Sequence, residues 1–196
     1  MSSVSKRLLS PKEYLAQERR AEFKSEYLRG EIFAMAGASY EHTLAKDNLA
    51  REAGNQLKGT PCRLLTSDMR VKVEATGVYT YADIAIVCDE PRFEDEVFDT
   101  LLNPRALVEV LSDSTEKYDR GAKFGHYRQI PSLQEYVLVA QDQPLVERYV
   151  RQPDGSWLLT VFEGLGQTFA FASVPSRIRL ADIYGGIAFP EKPTAK

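Results

Sequence analysis

The stretch ALVEVLSDSTEKYDRGAKFGHYRQIP (residues 106–131) decides the fold, because it joins a buried strand to a helix that must end before Pro131. Its first six residues form an apolar run with one carboxylate, Glu109, set inside it. A helix should begin in the Ser114/Thr115 region. The apolar run QEYVLVAQD (134–142) then returns as a strand. This order predicts a βαβ unit in a mixed or parallel sheet.

Glu109 needs a partner, because burying an isolated ionised carboxylate costs several kcal/mol. A second acid, Asp83, stands at the entrance of another apolar run, YADIAIVCD (81–89). If the two strands are neighbours, the carboxylates repel each other unless a divalent cation joins them or one is protonated. A hard ion such as Mg²⁺ is the natural partner. The alternative is that Asp83 caps a loop and Glu109 pairs with Arg105 or Arg128.

Length and composition indicate one domain over residues 1–196. Apolar residues make up 43% and charged residues 27%, which excludes a disordered chain, and no apolar run approaches a membrane span. The N-terminus MSSVSKRLLSPKEY lacks the apolar core of a secretory signal, so we expect a cytoplasmic protein. The net charge of −3 gives no global attraction for a polyanion and counts mildly against a dedicated DNA-binding protein.

The two cysteines, Cys62 and Cys88, belong to no CxxC pair and no Cys/His cluster that could bind zinc. We predict that both are buried and reduced.

The remaining elements follow from caps, periodicity and turn residues. Ser10, Pro11 and Glu13 form a capping-box pattern at the start of a first helix. Hairpins are predicted about Arg29-Gly30 and Asp154-Gly155. We further predict an amphipathic helix over 39–57, a half-buried strand over 67–74, a surface loop over 89–104, and a short strand with a helical turn over 177–189.

Five basic or potentially basic residues follow the Glu109 strand: Lys117, Arg120, Lys123, His126 and Arg128. A solvated helix face explains Lys117 and Arg128. Lys123 and Arg120 lie about one helical turn apart, and we expect them to point back toward Glu109, because the helix packs over the strand that it follows. A lysine there could orient a water or neutralise a phosphate.

Several blocks of the sequence, in order, resemble the Uma-two-type family of restriction endonucleases, which belongs to the PD-(D/E)XK nuclease superfamily. The resemblance spans nearly the whole chain. Its blocks are SEYLRGEIFAMAGASYEH (25–42), PCRLLTSDMRVKV (61–73), Asp83, VEVLSDST (108–115), YDRGAKFGHYRQIPSLQEYVLV (118–139) and RIRLADIY (177–184).

The resemblance implies a restriction-endonuclease-like α+β fold, in which helices flank a mixed sheet of four or five strands and hairpins are added near both ends. It also implies that Asp83 and Glu109 bind Mg²⁺, or Mn²⁺, with the carbonyl of Val110 as a further ligand. Two positions depart from the superfamily pattern. Ala82 replaces the proline before the aspartate, and Leu111 replaces the lysine two residues after Glu109.

A lysine displaced onto the next helix can reach the same space, and the family pattern implies Lys123 in that role rather than Lys117, with Arg120 as a charge-stabilising neighbour. His42 and Asp68 also match family blocks. His42 could touch a metal-bound water or a phosphate, although a histidine at a helix start is as often a capping or surface residue. Asp68 could contact the metal-binding residues without binding the metal itself.

The implied function is metal-dependent hydrolysis of phosphodiester bonds in DNA by a homodimer. The alternative is a catalytically weak or inactive nuclease fold that serves as a nucleic-acid or protein interaction module. The missing strand lysine and the acidic net charge favour the module, whereas Asp83, Glu109 and Lys123 together favour the enzyme. A third alternative is a metal-free structural protein in which arginines pair with the two acids.

Overall fold

A computed structural model describes residues 7–189 of the chain, which form five α-helices and thirteen strands. The helices are α1 (Pro11–Glu18), α2 (Tyr40–Gln56), α3 (Glu116–Tyr118), α4 (Phe124–Tyr127) and α5 (Leu180–Ile183); a π-helical turn (Asp119–Lys123) joins α3 to α4. The strands are β1 (Ser25–Leu28), β2 (Glu31–Ala34), β3 (Cys62–Thr66), β4 (Arg70–Val73), β5 (Val78–Tyr81), β6 (Ile84–Cys88), β7 (Thr100–Leu101), β8 (Ala106–Leu111), β9 (Glu135–Ala140), β10 (Leu145–Arg151), β11 (Trp157–Glu163), β12 (Thr168–Ala170) and β13 (Arg177–Arg179).

The strands form a six-stranded mixed sheet in the order β11-β10-β9-β8-β6-β3, a five-stranded sheet in the order β2-β1-β5-β4-β7, and the β12-β13 pair. Strands β8 and β9 run parallel, which confirms the predicted βαβ unit, and the other pairs of the six-stranded sheet are antiparallel. The resemblance implied a sheet of four or five strands, whereas the central sheet has six.

Alternate residues of the central strands face two separate cores, as expected for strands covered on both faces. Val108 and Val110 of β8 pack on the side of α2, α5 and the β12-β13 pair. Leu107 and Leu111 pack on the other side, with α4 and residues of the five-stranded sheet. Glu109 shares this second side, because side chains alternate along a strand.

Most local predictions are confirmed. Ser10 and Glu13 form the capping box at the start of α1. The β1-β2 hairpin turns through Arg29 (φ 50°) and Gly30 (φ 94°), as the predicted tight turn requires, and β10-β11 turns at Gly155 (φ 84°). Two predictions are wrong in detail: residues 89–104 include the buried strand β7, which pairs with β4, and the predicted continuous helix after β8 is interrupted by the π-helical turn.

The prediction that the two cysteines are reduced is wrong. Cys62 and Cys88 are buried as predicted, but they form a disulfide. They are directly opposite residues of the antiparallel pair β3-β6, so the strand register brings the two thiols together.

Within residues 7–189, no helix has the length and apolar character needed to cross a membrane. The prediction about a secretory signal concerns residues 1–14, and residues 1–6 lie outside the described part of the chain.

Reducing the Cys62–Cys88 disulfide should lower the free energy of unfolding by about 2–4 kcal/mol, because the reduced chain regains the conformational freedom of the closed loop. Urea denaturation with and without dithiothreitol measures the difference. A Cys62→Ala/Cys88→Ala variant should not respond to dithiothreitol. Two thiols that titrate in the native, unreduced protein would contradict the disulfide.

Candidate active site

The two acids that the sequence singled out lie opposite each other on adjacent strands. Strand β6 pairs antiparallel with β8, with Ile84 opposite Val108. One step along the same register places Asp83, just before β6, opposite Glu109. Directly opposite residues point to the same face, with Cβ atoms about 5 Å apart. The backbone N–H of Val110 donates to Asp83 Oδ2 at 2.8 Å, which holds the Asp83 carboxylate against β8.

Glu109 is 4% exposed and has two polar partners. Lys123 Nζ lies 3.0 Å from Glu109 Oε1, and the Tyr127 hydroxyl donates to the same oxygen at 2.9 Å. Neither arginine of the alternative interpretation fills this role: Arg105 pairs with Asp89 at 3.7 Å, and Arg128 is exposed, whereas Glu109 is buried. Lys123 therefore compensates the charge of Glu109 inside the sheet.

Lys123 is the centre of a buried cluster of oxygen atoms. Its Nζ donates to the carbonyl of Tyr81 at 3.2 Å, and it lies 3.3 Å from Glu26 Oε1 and 3.5 Å from Asp119 Oδ1. The π-helical turn places Asp119 and Lys123 on the inner side of the helical segment, where both are buried. Lys117, the other lysine considered, is exposed. The structure thus places Lys123, and not Lys117, beside the two acids.

Burial and charge act in opposite directions on this cluster. Burial raises the pKa of Glu109, whereas the Lys123 ammonium acts to lower it. Burial acts to lower the pKa of Lys123, but Glu109, Tyr127, Glu26 and Asp119 outweigh it and the pKa is raised. Lys123 therefore stays protonated near neutral pH.

Four residues of the cluster were absent from the predictions: Glu26, Thr80, Asp119 and Tyr127. Glu26 lies on β1 opposite Thr80 of β5, since Tyr27 pairs with Tyr79, and the Thr80 hydroxyl donates to Glu26 Oε1. Glu26 lies in one of the sequence blocks that resemble the family (25–42), and this was the only feature of the sequence that could have pointed to it. Only the strand register shows that it faces Lys123.

The three secondary candidates have different surroundings. His42, near the start of α2, has Nε2 at 3.2 Å from Asp83 Oδ2, so it lies within the site. Asp68 is mostly exposed and forms an ion pair with Lys24, which lowers the pKa of the Asp68 carboxyl. Arg120 pairs with Glu116 and Glu147. The prediction that Arg120 points toward Glu109 is therefore wrong.

Comparisons with known proteins show the family and the fold of the chain. Residues 11–181 match the family model Uma2, described as "Putative restriction endonuclease". The chain belongs to the Uma2 family.

Two Synechocystis sp. PCC 6803 proteins, named as uncharacterized, are similar to this Uma2 chain. Protein sll1609 is 37% identical over 172 residues, covering 88% of this chain and 97% of its own length, and slr1290 is 36% identical over 181 residues, covering 92% and 94%. The solved structure of a "putative nuclease belonging to DUF820" from Anabaena variabilis superposes with a TM-score of 0.71 at 17% identity, covering 90% of this chain and 97% of that one. The Uma2 chain therefore has a restriction-endonuclease-like fold.

The Uma2 residues at this site fit a hard divalent cation. The contacts of these carboxylates with Val110, His42, Tyr127 and Lys123 are made through Asp83 Oδ2 and Glu109 Oε1. The N–H and C=O of a strand residue point to the same side, so the Val110 carbonyl points toward Asp83. Residues 7–189 contain no cluster of three His, Cys, Asp or Glu side chains that could hold a metal. Two carboxylates, a carbonyl and waters still suit Mg²⁺.

Replacing Tyr127 by phenylalanine should lower the free energy of unfolding by about 1–3 kcal/mol, because the buried Glu109 loses its hydroxyl donor. Urea denaturation measures the change. Tyr136→Phe is the matched control: it removes an equally buried hydroxyl that donates to the neutral carbonyl of Asp119 at 3.1 Å. A Tyr127 variant no less stable than the Tyr136 variant would contradict the importance of this hydrogen bond.

Proposed function

We propose that this Uma2 protein is a metal-dependent endonuclease that hydrolyses phosphodiester bonds in DNA. Family membership supports a nuclease-type function. The observation that carries the proposal is the arrangement of Asp83 and Glu109 on opposed strand positions beside a buried lysine, Lys123. Paired oxygen ligands with an adjacent cation are the elements that hydrolysis of a phosphodiester needs.

Asp83, Glu109 and the carbonyl of Val110 would hold Mg²⁺ or Mn²⁺. When bound, such an ion lowers the pKa of a coordinated water and shields the charge of the phosphate. Asp83 is kept in place by the Val110 N–H and by His42. We propose that Lys123 donates to the attacking water and that His42 contacts either that water or a phosphate oxygen.

One observation favours the alternative, a nuclease fold that serves as an interaction module. Lys123 and Tyr127 already partner Glu109, so the buried carboxylate does not need a metal for compensation. A metal-free protein with this site therefore does not leave Glu109 without partners. Homodimer formation and a cytoplasmic location stay predictions, and both hold for either function.

The test is cleavage of supercoiled plasmid and of single-stranded DNA by the purified protein with Mg²⁺, Mn²⁺ or EDTA. We expect cleavage with either metal, none with EDTA, and a heat of Mg²⁺ binding by calorimetry that Asp83→Ala and Glu109→Ala abolish. Cleavage that survives both substitutions would contradict this site. No cleavage of any substrate together with no metal binding would support the interaction module instead.

A further inference from the structure

The segment IFAMAGASY (residues 32–40) is exposed at every position, although it contains no charged residue. It includes four large apolar side chains at the hairpin end and the start of α2: Ile32 is 37% exposed, Phe33 49%, Met35 37% and Tyr40 69%. An uncharged apolar run of this length in contact with water is unfavourable unless a ligand or partner uses it. We call Phe33, Met35 and Tyr40 the apolar rim.

The apolar rim is continuous with the candidate active site. Phe33 of β2 is directly opposite Glu26 of β1, and Glu26 is opposite Thr80 of β5 by the register of that pair. Directly opposite residues share a face, so Phe33, Glu26 and Thr80 form one row across the sheet. The inner end of this row reaches the site, because Glu26 Oε1 lies 3.3 Å from Lys123 Nζ.

The other two rim residues follow Phe33 along the chain, at the end of the hairpin and at the start of α2. Met35 follows Phe33 by two residues and therefore points to the same side as Phe33, and its N–H donates to the Lys24 carbonyl at 3.0 Å. Tyr40 is the first residue of α2 and lies in the same helical turn as His42, which contacts Asp83, although side chains two residues apart on a helix project in different directions. Ile32, in contrast, is opposite Tyr27 and shares the other face of the hairpin.

Charge near the site supplies little attraction for phosphates. Lys24 pairs with Asp68, Arg120 pairs with Glu116 and Glu147, and the net charge of the chain is −3. These two cations are already compensated by carboxylates, so apolar contact can add to the affinity for DNA. Aromatic side chains contribute affinity by stacking on bases. Any of the four bases can stack in this way, but only when it is unpaired.

We infer that the apolar rim is a stacking surface for unpaired bases next to the scissile phosphate, so that the preferred substrate is single-stranded or locally unpaired DNA. This inference rests on the proposed nuclease function and names the substrate class of the same site. A double helix offers only base edges in its grooves, and the rim side chains carry few groups that could read them.

The test is fluorescence anisotropy of a short labelled oligonucleotide, single-stranded or duplex, with the unmodified chain and its variants in EDTA. Phe33→Ala and Tyr40→Ala should each weaken single-strand binding about tenfold, and Phe33→Trp should retain it. Phe33→Leu should weaken it, because leucine keeps the apolar surface but loses the ring. Leu159→Ala is the control, since Leu159 is also exposed but lies on β11, at the far end of the six-stranded sheet.

Three results would overturn the inference: no binding of single strands by the unmodified chain, equal binding by the alanine variants, or a dimer that dissociates in these variants while DNA binding is unchanged. The last result would assign the rim to a second copy of the chain. Failure of the nuclease function is distinguished by the cleavage assay, which depends on Asp83 and Glu109. If the protein cleaves DNA but Phe33→Ala and Tyr40→Ala leave single-strand binding unchanged, only the stacking inference is refuted. If single-strand binding depends on the two rings but no DNA is cleaved, only the nuclease function is refuted.

Discussion

Glu109→Gln should reduce metal-dependent cleavage of DNA by about 10³-fold or more while the protein stays folded. Glutamine has the shape of glutamate and can still accept a hydrogen bond from Tyr127, but it lacks the negative charge that a divalent cation requires. Lys123 retains Glu26 and Asp119 as carboxylate neighbours, so the substitution leaves no buried ammonium without a partner. Asp83→Asn should have the same effect, because its amide oxygen can still accept from the Val110 N–H.

Initial rates of plasmid cleavage and the heat of Mg²⁺ binding measure this effect, and urea denaturation checks the fold. Glu116→Gln is the control, since Glu116 is an exposed carboxylate of α3 that pairs with Arg120. This variant should cleave and bind Mg²⁺ like the unmodified chain. Wild-type rates and wild-type metal affinity in the Glu109 and Asp83 variants would refute the metal site.

Lys123→Met should lower the free energy of unfolding by about 3–5 kcal/mol, because it leaves Glu109, Glu26 and Asp119 facing one another without their shared cation. Lys117→Met should change stability little, since Lys117 is exposed. Cleavage should be lost in the Lys123 variant and retained in the Lys117 variant. These two variants decide which lysine serves the site.

A double substitution separates the loss of the cation from a general packing defect. Adding Glu109→Gln to Lys123→Met removes one of the uncompensated carboxylates, so the double variant should be more stable than Lys123→Met alone. Urea denaturation of the two single variants and the double variant gives the coupling energy between residues 109 and 123. Additive effects of the two substitutions would show that the 3.0 Å contact does not contribute to stability.

Strand patterns and the family resemblance predicted the core of the candidate site. Two apolar runs that each carry one acid made Asp83 and Glu109 candidate partners if their strands are neighbours, and the structure pairs those strands, β6 and β8. The resemblance favoured Lys123 over Lys117, and the structure places Lys123 at 3.0 Å from Glu109. Whether these residues act on DNA stays a prediction that the experiments above test.

The features that the sequence did not show depend on contacts between distant segments. Cys62 and Cys88 are bonded because β3 and β6 pair in a register that sets them opposite each other, and cysteine spacing alone contains no such information. Arg120 was expected near Glu109, but the π-helical turn buries Asp119 and Lys123 and leaves Arg120 with Glu116 and Glu147.

Local patterning by itself therefore determined most of the helices and strands, the βαβ unit and the two acids, because periodicity and capping act within a few residues along the chain. Tertiary structure alone decided which charges meet. Glu26 comes from a separate sheet and reaches Lys123 only through the pairing of β1 with β5. Because an ion pair depends on distance in space and not along the chain, the charge balance of the buried site could be known only from the folded protein.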